Sequence, residues 1–246
     1  MKYYHELQEG LNDPNIFKAF FLAGRPGRGK SYVVRKTTGG TGLKSVNSDD
    51  MFEKLLKDAG LSLKMPPEET TTREVARRRA KELTVARQKN YIMGRLGLII
   101  DGTGKNYDRI SQQSTRLKQL GYDTHMIFVN TSLDVALQRN KERPRSVPEA
   151  EVVKSWKSVQ SNLGKFSQHF RGNLIIVDNN DAGEDVFTDV FKQVKRLLKK
   201  KVKNPQSDEW IYQQMKLKKM RKIPKGFSDP ETGPGSRRGQ GAITAI

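Results

Sequence analysis

The stretch that most constrains the fold is a glycine-rich run, Gly24–Ser31, which fits the pattern G-x-x-x-x-G-K-[ST]. It follows an apolar and aromatic segment, residues 16–23, that predicts a buried strand, and it precedes a segment that can continue as a helix. In that setting Gly24, Gly27 and Gly29 let backbone N–H groups turn towards phosphate oxygens, and the helix amino terminus adds partial positive charge. The run therefore predicts a phosphate-binding loop.

Two side chains of this loop have roles that follow from the pattern. Lys30 would reach the β and γ phosphates of a nucleotide, and the Ser31 hydroxyl would bind Mg²⁺. Arg28, inside the loop, is expected to take part in nucleotide binding. The motif therefore predicts ATP and Mg²⁺ as cofactors. The alternative is a glycine-rich turn between a strand and a helix that binds nothing.

The charge and composition of the chain narrow its partners. Lysine and arginine number 46 against 27 acids, and the net charge of +19 favours polyanionic partners such as nucleic acid. Of the nucleic acids, DNA is expected more than RNA. The alternatives are a solubility feature or a basic surface whose only anion is ATP. The absence of cysteine excludes disulfides and thiolate metal sites. Without a signal-peptide or membrane-spanning pattern, a cytoplasmic protein with no membrane partner is expected. The sequence leaves the oligomeric state open.

Strand and helix patterns alternate along the chain, which predicts an α/β fold with five strands. Further strands are predicted at residues 43–47, 97–103, 124–129 and 174–178. Among the intervening segments, a long helix is expected over 72–96 and another over 149–163, with residues 164–171 connecting to the last strand. The domain boundaries are predicted as a lead-in over 1–15, one domain over 16–203 and a basic, partly disordered tail over 204–246, with a helix near 208–219.

Acidic residues follow two of the predicted strands, where a parallel sheet gathers its ligands. Asp49 and Asp50 come after the second strand. A carboxylate there could accept a proton from an attacking hydroxyl, but Ser-Asp-Asp before a helix is also a plain helix cap. Asp50 could cap while Asp49 acts as the base. Asp101 ends the third strand, where it would lie near a bound Mg²⁺ or simply form an Asp-Gly turn.

Basic and amide side chains complete the candidate nucleotide site. An arginine-rich segment from Arg139 to Pro148 lies between two predicted helices. It could fold over a triphosphate as a lid, or remain an exposed basic turn. Asn179 and its neighbour Asn180 follow the fifth strand, and their amides could contact the edge of an adenine. The arginines and lysines of the 72–96 helix form either a solvated face or the wall of a groove for a phosphate backbone.

Three of these stretches together resemble the P-loop kinase family that includes phage 5′-polynucleotide kinases and zeta-toxin-type kinases. They are Gly24–Ser31, Val46–Asp50, and the lid segment Arg139–Arg143 with Val147-Pro148. The resemblance covers roughly residues 16–200, and the strand ending in Asp101 is also similar. One departure concerns the position shortly after the acid pair, where those kinases hold the acceptor phosphate with an arginine and this chain has Phe52.

The resemblance implies a three-layer α/β/α fold of the P-loop NTPase type, with a five-stranded parallel sheet, helices on both of its faces and an arginine-rich lid. It also implies an ATP-dependent phosphotransferase with an alcohol acceptor. It implies that Asp49 is the general base, that Lys30 and Arg143 stabilise charge, and that Arg139 belongs to the nucleotide site. Ser31 would bind Mg²⁺, with Asp101 nearby through water.

Three hypotheses about function follow. In the first, phosphate is transferred to a hydroxyl of nucleic acid, either a 5′ end or a hydroxymethylated base in phage DNA, in the host cytoplasm if the protein is phage-encoded. In the second, the acceptor is a small molecule, as in a nucleotide-sugar kinase of the toxin type or a nucleoside or nucleotide kinase. In the third, the protein is non-catalytic, a nucleotide-gated nucleic-acid-binding or virion-associated protein.

Overall fold

The structure, a computed structural model, describes residues 11, 13–24, 35–36, 38–63, 66–142, 148–180 and 184–220, except the side chains of 184 and 218–220. Five strands form one sheet in this part of the chain: β1 (Lys18–Gly24), β2 (Lys44–Val46), β3 (Leu98–Asp101), β4 (Asp123–Asn130) and β5 (Leu174–Asp178). Every pairing is parallel and the order is β2-β3-β1-β4-β5. The predicted five-stranded parallel sheet is therefore confirmed.

Eight α-helices begin and end within the described part of the chain. They are α1 (Ser48–Asp58), α2 (Thr70–Met93), α3 (Tyr107–Gln119), α4 (Leu133–Lys141), α5 (Glu149–Ser161), α6 (Leu163–Phe170), α7 (Glu184–Lys199) and α8 (Pro205–Met220). Short 3-10 turns occupy Pro67–Glu69 and Arg171–Asn173. Of these helices, none is long and apolar enough to cross a membrane.

Strand β1 is the centre of the fold because all seven of its residues are buried. Its side chains alternate between two layers. Phe21 packs with buried residues of α3 and α6, while Phe20 and Leu22 pack with the apolar face of α7. Helices therefore cover both faces of the sheet, which gives the three-layer α/β/α arrangement that the sequence predicted.

The region before β5 differs from the prediction. The sequence predicted a helix over 149–163 and a connection over 164–171, whereas α5 ends at Ser161 and a further helix, α6, runs over Leu163–Phe170. The cause is tertiary packing, because Phe166 and Phe170 lie one helical turn apart and both are buried. Their rings lie against the sheet, with Phe170 5.8 Å from Phe21 and Phe166 6.5 Å from Phe128.

Helix α8 falls in the range predicted as a basic tail and packs on the start of β1. Its Ser207 is fully buried, and the Trp210 ring meets the Phe17 ring edge-on at 5.4 Å. The fit leaves little space, since a Cβ on Gly121 would lie 2.9 Å from the Ser207 backbone nitrogen. The predicted helix of this segment is therefore present, and it belongs to the packed structure. The rest of the tail lies outside the described residues.

Candidate active site

The strand order brings the carboxyl ends of β1, β2 and β3 to one edge of the sheet. Strand β3 lies between β1 and β2, and Leu22 of β1 pairs in register with Asp101 at the end of β3. The chain crosses to the other side of β1 when it continues to β4. Ligands of open parallel sheets bind at such an edge, beside the strand where the connections diverge. We take this edge as the candidate active site.

Gly24 ends β1 at this edge in a conformation that only glycine adopts readily. Its φ is +147°, and a Cβ there would lie 2.9 Å from the Val129 Cβ. Its N–H donates to the Thr103 carbonyl at 3.2 Å, which ties the start of the predicted phosphate-binding loop to the segment after β3. The other predicted members of the loop, Gly27, Arg28, Gly29, Lys30 and Ser31, lie outside the described residues.

A cleft of about 130 Å³ lies beside this point and brings two of the predicted acids together. Asp50, from the start of α1, and Asp101, from the end of β3, both line it. The remaining lining residues are Leu22, Arg35, Ser45, Asn47 and Ile99. The cleft thus combines two carboxylates with neutral oxygen donors and one guanidinium.

Asn47 fixes the geometry of the acid pair. It is the N-cap of α1, and its Oδ1 accepts the Asp49 N–H at 2.8 Å. Its Nδ2 donates to Asp50 Oδ1 at 3.0 Å. The sequence allowed Asp50 to cap the helix, but the N-cap is Asn47. Asn47 takes that role and holds the Asp50 carboxylate.

The surroundings of Asp50 raise its pKa above the ordinary range of an aspartate. Partial burial is the largest cause, followed by the negative charges of Asp101, Asp49 and Glu53, and the hydrogen bond from Asn47 opposes the shift. A raised pKa lies nearer to neutral pH, which makes the carboxylate a more effective proton acceptor there. Perturbed acids in clefts are a common mark of catalytic sites.

Asp49 occupies a different position from its neighbour. Both acids are exposed in the first turn of α1, but Asp49 is absent from the lining of the cleft, which Asp50 shares with Asp101. Sequence reasoning missed Ser45, Asn47 and Arg35 as parts of this site. Asn47 could have been found from its place before Ser-Asp-Asp, a typical N-cap position, whereas only the packing brings Arg35 to the cleft.

The loops after β4 and β5 meet on the other side of β1 through Asn180. Its Oδ1 accepts the Ser132 N–H at 2.6 Å, and its backbone carbonyl accepts from Arg139 Nη2 at 3.1 Å. Its own Nδ2 donates to Asp178 Oδ1 at 2.7 Å. Arg139, predicted for the nucleotide site, is therefore fixed to the end of β5. Asn179 is buried, and its N–H donates to the Asn130 carbonyl at 2.9 Å.

Helix α5 ties these carboxyl-edge loops together. Trp156 Nε1 donates to the Thr131 carbonyl at 2.7 Å. Asn162, just past the helix, donates from Nδ2 to the carbonyls of Gly104 and Lys105 at 3.0 and 2.9 Å. No sequence pattern marked Trp156 or Asn162, because both contacts join distant segments. The residues between Glu142 and Pro148, including Arg143 of the predicted lid, lie outside the described part of the chain.

Phe52 stands where the related kinases have an arginine, and in this fold an arginine of another helix lies beside it. Phe52 is buried between α1 and α2, and the Arg77 guanidinium of α2 stacks over its ring at 4.7 Å. Arg77 also lies 3.5 Å from the Glu74 carboxylate. Phe52 lies about one helical turn after Asp49 in α1, and the Arg77 guanidinium of α2 is therefore stacked at that level of the helix.

The fold and this edge together define a nucleotide-binding phosphotransferase of the P-loop kinase type. The zeta toxin family model matches residues 6–190, which is most of the chain. The protein therefore belongs to the zeta toxin family. This match supports the kinase and phosphotransferase predictions made from the sequence.

The likeness to one solved structure supports the fold. A putative kinase from Chloroflexus aurantiacus is 16% identical, with a TM-score of 0.51 over 73% of this chain and 97% of that one. A chain of the Pnkp1/Rnl/Hen1 RNA repair complex is 22% identical, with a TM-score of 0.46 over 61% of this chain and 46% of that one. The PezAT toxin-antitoxin structure from Streptococcus pneumoniae is 15% identical, with a TM-score of 0.46 and coverages of 89% and 93%. No curated protein matches in sequence.

Proposed function

We propose that this kinase transfers the γ-phosphate of ATP to a hydroxyl group of nucleic acid, either a 5′ end or a hydroxymethylated base in DNA. The observation that carries the proposal is the cleft at the carboxyl edge of the sheet, where Asp50 and Asp101 meet beside the end of β1. The net charge of +19 favours a polyanionic acceptor.

The donor set of this cleft fits Mg²⁺. Magnesium prefers oxygen ligands and is commonly held by one or two carboxylates together with phosphates of the substrate. Asp101 supplies a carboxylate next to β1, and the Ser31 hydroxyl is the second ligand that the motif predicts. When bound, Mg²⁺ would neutralise charge on the phosphates.

Proton removal from the acceptor hydroxyl is assigned to the pair Asp49 and Asp50. The family resemblance implies Asp49, while the cleft geometry and the raised pKa favour Asp50. Once the hydroxyl oxygen attacks the γ-phosphorus, its proton passes to this carboxylate and ADP leaves. Lys30 and Arg143 would stabilise the charge on the transferred group, and Arg139 would anchor the lid to the end of β5.

Helix α2 supports a polyanionic acceptor because it lies beside the acid pair. It packs against α1 through Phe52, Leu56 and Ala80. Its 24 residues include seven lysines and arginines but only two glutamates. Arg78, Lys81 and Arg87 are exposed on it. A nucleic-acid strand that enters the cleft from this side would place its phosphates along the helix, where the cations neutralise them.

The test is transfer of γ-labelled phosphate from ATP in the presence of Mg²⁺. The acceptors are 5′-hydroxyl DNA, 5′-hydroxyl RNA, hydroxymethyluracil-containing DNA and a small-metabolite extract. The control is the double variant Asp49→Asn with Asp50→Asn. We expect label in nucleic acid, abolished in the double variant. Label that enters only small molecules would refute the proposed acceptor.

A small-molecule kinase is the second candidate, and the match to the zeta toxin family favours it. The cleft of about 130 Å³ is also small, although the lid segment and most of the phosphate loop are outside the described residues. Turnover that is nearly independent of salt would support this candidate, since binding to a phosphate backbone weakens steeply with salt. The family assignment gives no support to the non-catalytic hypothesis.

A further inference from the structure

A second cleft lies at the amino edge of the sheet, opposite the candidate active site, and this one is basic. It has a volume of about 530 Å³ and is lined by the end of α3 and by the segment from the end of α6 to the start of β5. Lys118, His169 and Arg171 supply its ionisable groups. The two edges are separated by the length of β1, roughly 20 Å for seven residues. This cleft is therefore separate from the catalytic one.

The cations of this cleft are held near one another without an acid among the described residues that line it. The pKa of Lys118 is lowered, first by burial and then by the charge of Arg171. The pKa of His169 is lowered by burial and by Lys118. Asp123, an acid at the same edge, pairs with Lys18 Nζ at 2.8 Å. Like charges kept together at an open site repel each other, and a bound anion would relieve that repulsion.

Arg171 shows backbone strain at the same place. Its φ is +46° and its ψ is −125°, and a positive φ is uncommon for a residue with a side chain. Arg171 lies between α6 and β5, and it lines the cleft. Such outliers occur often at ligand sites, and here one coincides with the cluster of cations.

The connection between α7 and α8 extends the positive surface. Lys18 Nζ donates to the Lys200 carbonyl at 2.6 Å, and Asn204 Nδ2 donates to the Lys118 carbonyl at 3.0 Å. These two bonds fix the connection along the amino edge. The end of α7 and this connection carry four exposed lysines, Lys199, Lys200, Lys201 and Lys203. We call the cleft residues Lys118, His169 and Arg171 together with these lysines the basic amino edge.

We propose that the basic amino edge is a second binding site for nucleic acid, which holds the phosphodiester backbone away from the catalytic cleft. An open surface with cations spread along a chain segment fits a strand of phosphates better than a single small anion. The choice of nucleic acid as the anion rests on the proposed function. The site itself rests on the cleft and its cations.

The test uses binding of the full chain to a circular single-stranded DNA, internally labelled, measured by fluorescence anisotropy over a series of salt concentrations. A circle has no 5′ hydroxyl, so binding is measured independently of phosphate transfer to an end. The test variant is Lys118→Gln with Arg171→Gln. The matched control is Lys57→Gln with Lys192→Gln, which removes the same charge from exposed helix positions where an acid already pairs with each lysine.

We expect the test variant to bind the circle roughly tenfold more weakly near 0.1 M salt, with a salt slope smaller by about 1.4, since each contact on a single strand contributes about 0.7. The control should bind as the unchanged protein does. A second variant, Lys200→Gln with Lys201→Gln, repeats the test if the first does not fold, as judged by thermal melting.

Several outcomes would overturn the proposal. One is equal binding by the test variant and the unchanged protein, and another is an equal loss in the control. If the protein binds labelled polyglutamate but not the DNA circle, the partner is an acidic polypeptide instead. Displacement of the circle by ATP would place the DNA in the catalytic site. If the circle binds as expected but no nucleic acid accepts label, the proposed acceptor fails while the second site stands.

Discussion

At the scale of single residues, the catalytic edge depends on how Asn47 arranges two neighbouring acids. It caps α1 with its Oδ1 and holds the Asp50 carboxylate with its Nδ2. Asp50 consequently lies in the cleft with Asp101, where burial and like charges raise its pKa. Asp49, one residue earlier, does not line the cleft. This difference makes the identity of the base a question that single substitutions can answer.

We predict that only one of the variants Asp49→Asn and Asp50→Asn loses catalysis. The general base should account for about 10²–10⁴-fold in kcat, and the other residue for less than about tenfold. If Asp50 is the base, the acid limb of kcat/KM against pH should lie above the ordinary aspartate range, because its pKa is raised. Equal kcat values for both variants and the unchanged protein would contradict the assignment to this pair.

A second residue, His125, controls how stability changes with pH. It is buried in β4, stacked on Phe20 at 4.8 Å, and neither ring nitrogen has a hydrogen-bond partner among the described residues. Burial and the charges of Lys18, Lys200 and Lys118 outweigh the attraction of Asp123 and lower its pKa to about 4. The folded protein therefore keeps this ring neutral at a pH where the unfolded chain protonates it.

We predict that His125 makes the free energy of unfolding fall by about 3 kcal/mol as pH drops from 6.5 to 4. Above pH 6.5 the ring is neutral in both states, so this stability is fully present. It is lost as pH falls towards the folded pKa. Urea unfolding of the unchanged protein and His125→Phe across this range is the measurement. The variant should lack this part of the pH dependence, and parallel curves would contradict the prediction.

At the scale of elements, helix α8 closes the amino end of the sheet. Trp210 meets Phe17 at 5.4 Å, and the Arg95 guanidinium lies 6.0 Å from the Trp210 ring. Phe17 is fully buried and adjoins β1, the central strand. The packing of α8 is thus linked to the strand that leads to the phosphate-binding loop.

We predict that Trp210→Ala destabilises the protein by about 2 kcal/mol, because it removes a partly buried ring and its edge-on contact. The melting temperature should fall by roughly 4–8 °C. Tyr212→Ala is the matched control on the same helix, since Tyr212 is 64% exposed and its loss should change stability by less than about 0.5 kcal/mol. Equal melting temperatures for Trp210→Ala and the unchanged protein would show that α8 contributes nothing to the core.

At the scale of the whole molecule, the positive charge is distributed over both edges of the sheet. Helix α2 carries seven basic residues beside the catalytic cleft, and the basic amino edge lies at the opposite end. The net charge of +19 supplies a long-range attraction for polyanions at low ionic strength. Because of this charge, the salt dependence of acceptor binding can distinguish a polymeric acceptor from a small one.

We predict that the KM for a nucleic-acid acceptor rises steeply with salt. A strand that contacts about four phosphates should lose on the order of 50-fold in affinity between 50 and 200 mM salt. The KM for ATP, measured in the same series, serves as the internal reference and should change far less. A salt-independent KM for the acceptor would indicate that the basic surfaces do not take part in acceptor binding.

The sequence by itself determined the elements and the local chemistry. Hydrophobic runs and glycines predicted the five strands. The acids after two of these strands, Asp49 and Asp50 after one and Asp101 after the other, were predicted to lie at one edge. These signals are local, because a strand, a turn or a cap depends on residues a few positions apart. The exception within the elements was α6, where the phenylalanine contacts with the sheet, and not local pattern, decided the helix.

The tertiary structure decided what lies together across long distances in the chain. It set the strand order, placed Asp50 and not Asp49 in the cleft with Asp101, and packed α8 on Phe17. It also brought Lys118 to Arg171 at the amino edge. No local pattern encodes such contacts, because each depends on how separate elements pack, and the free energy of burial is gained only when the whole sheet and its helices come together.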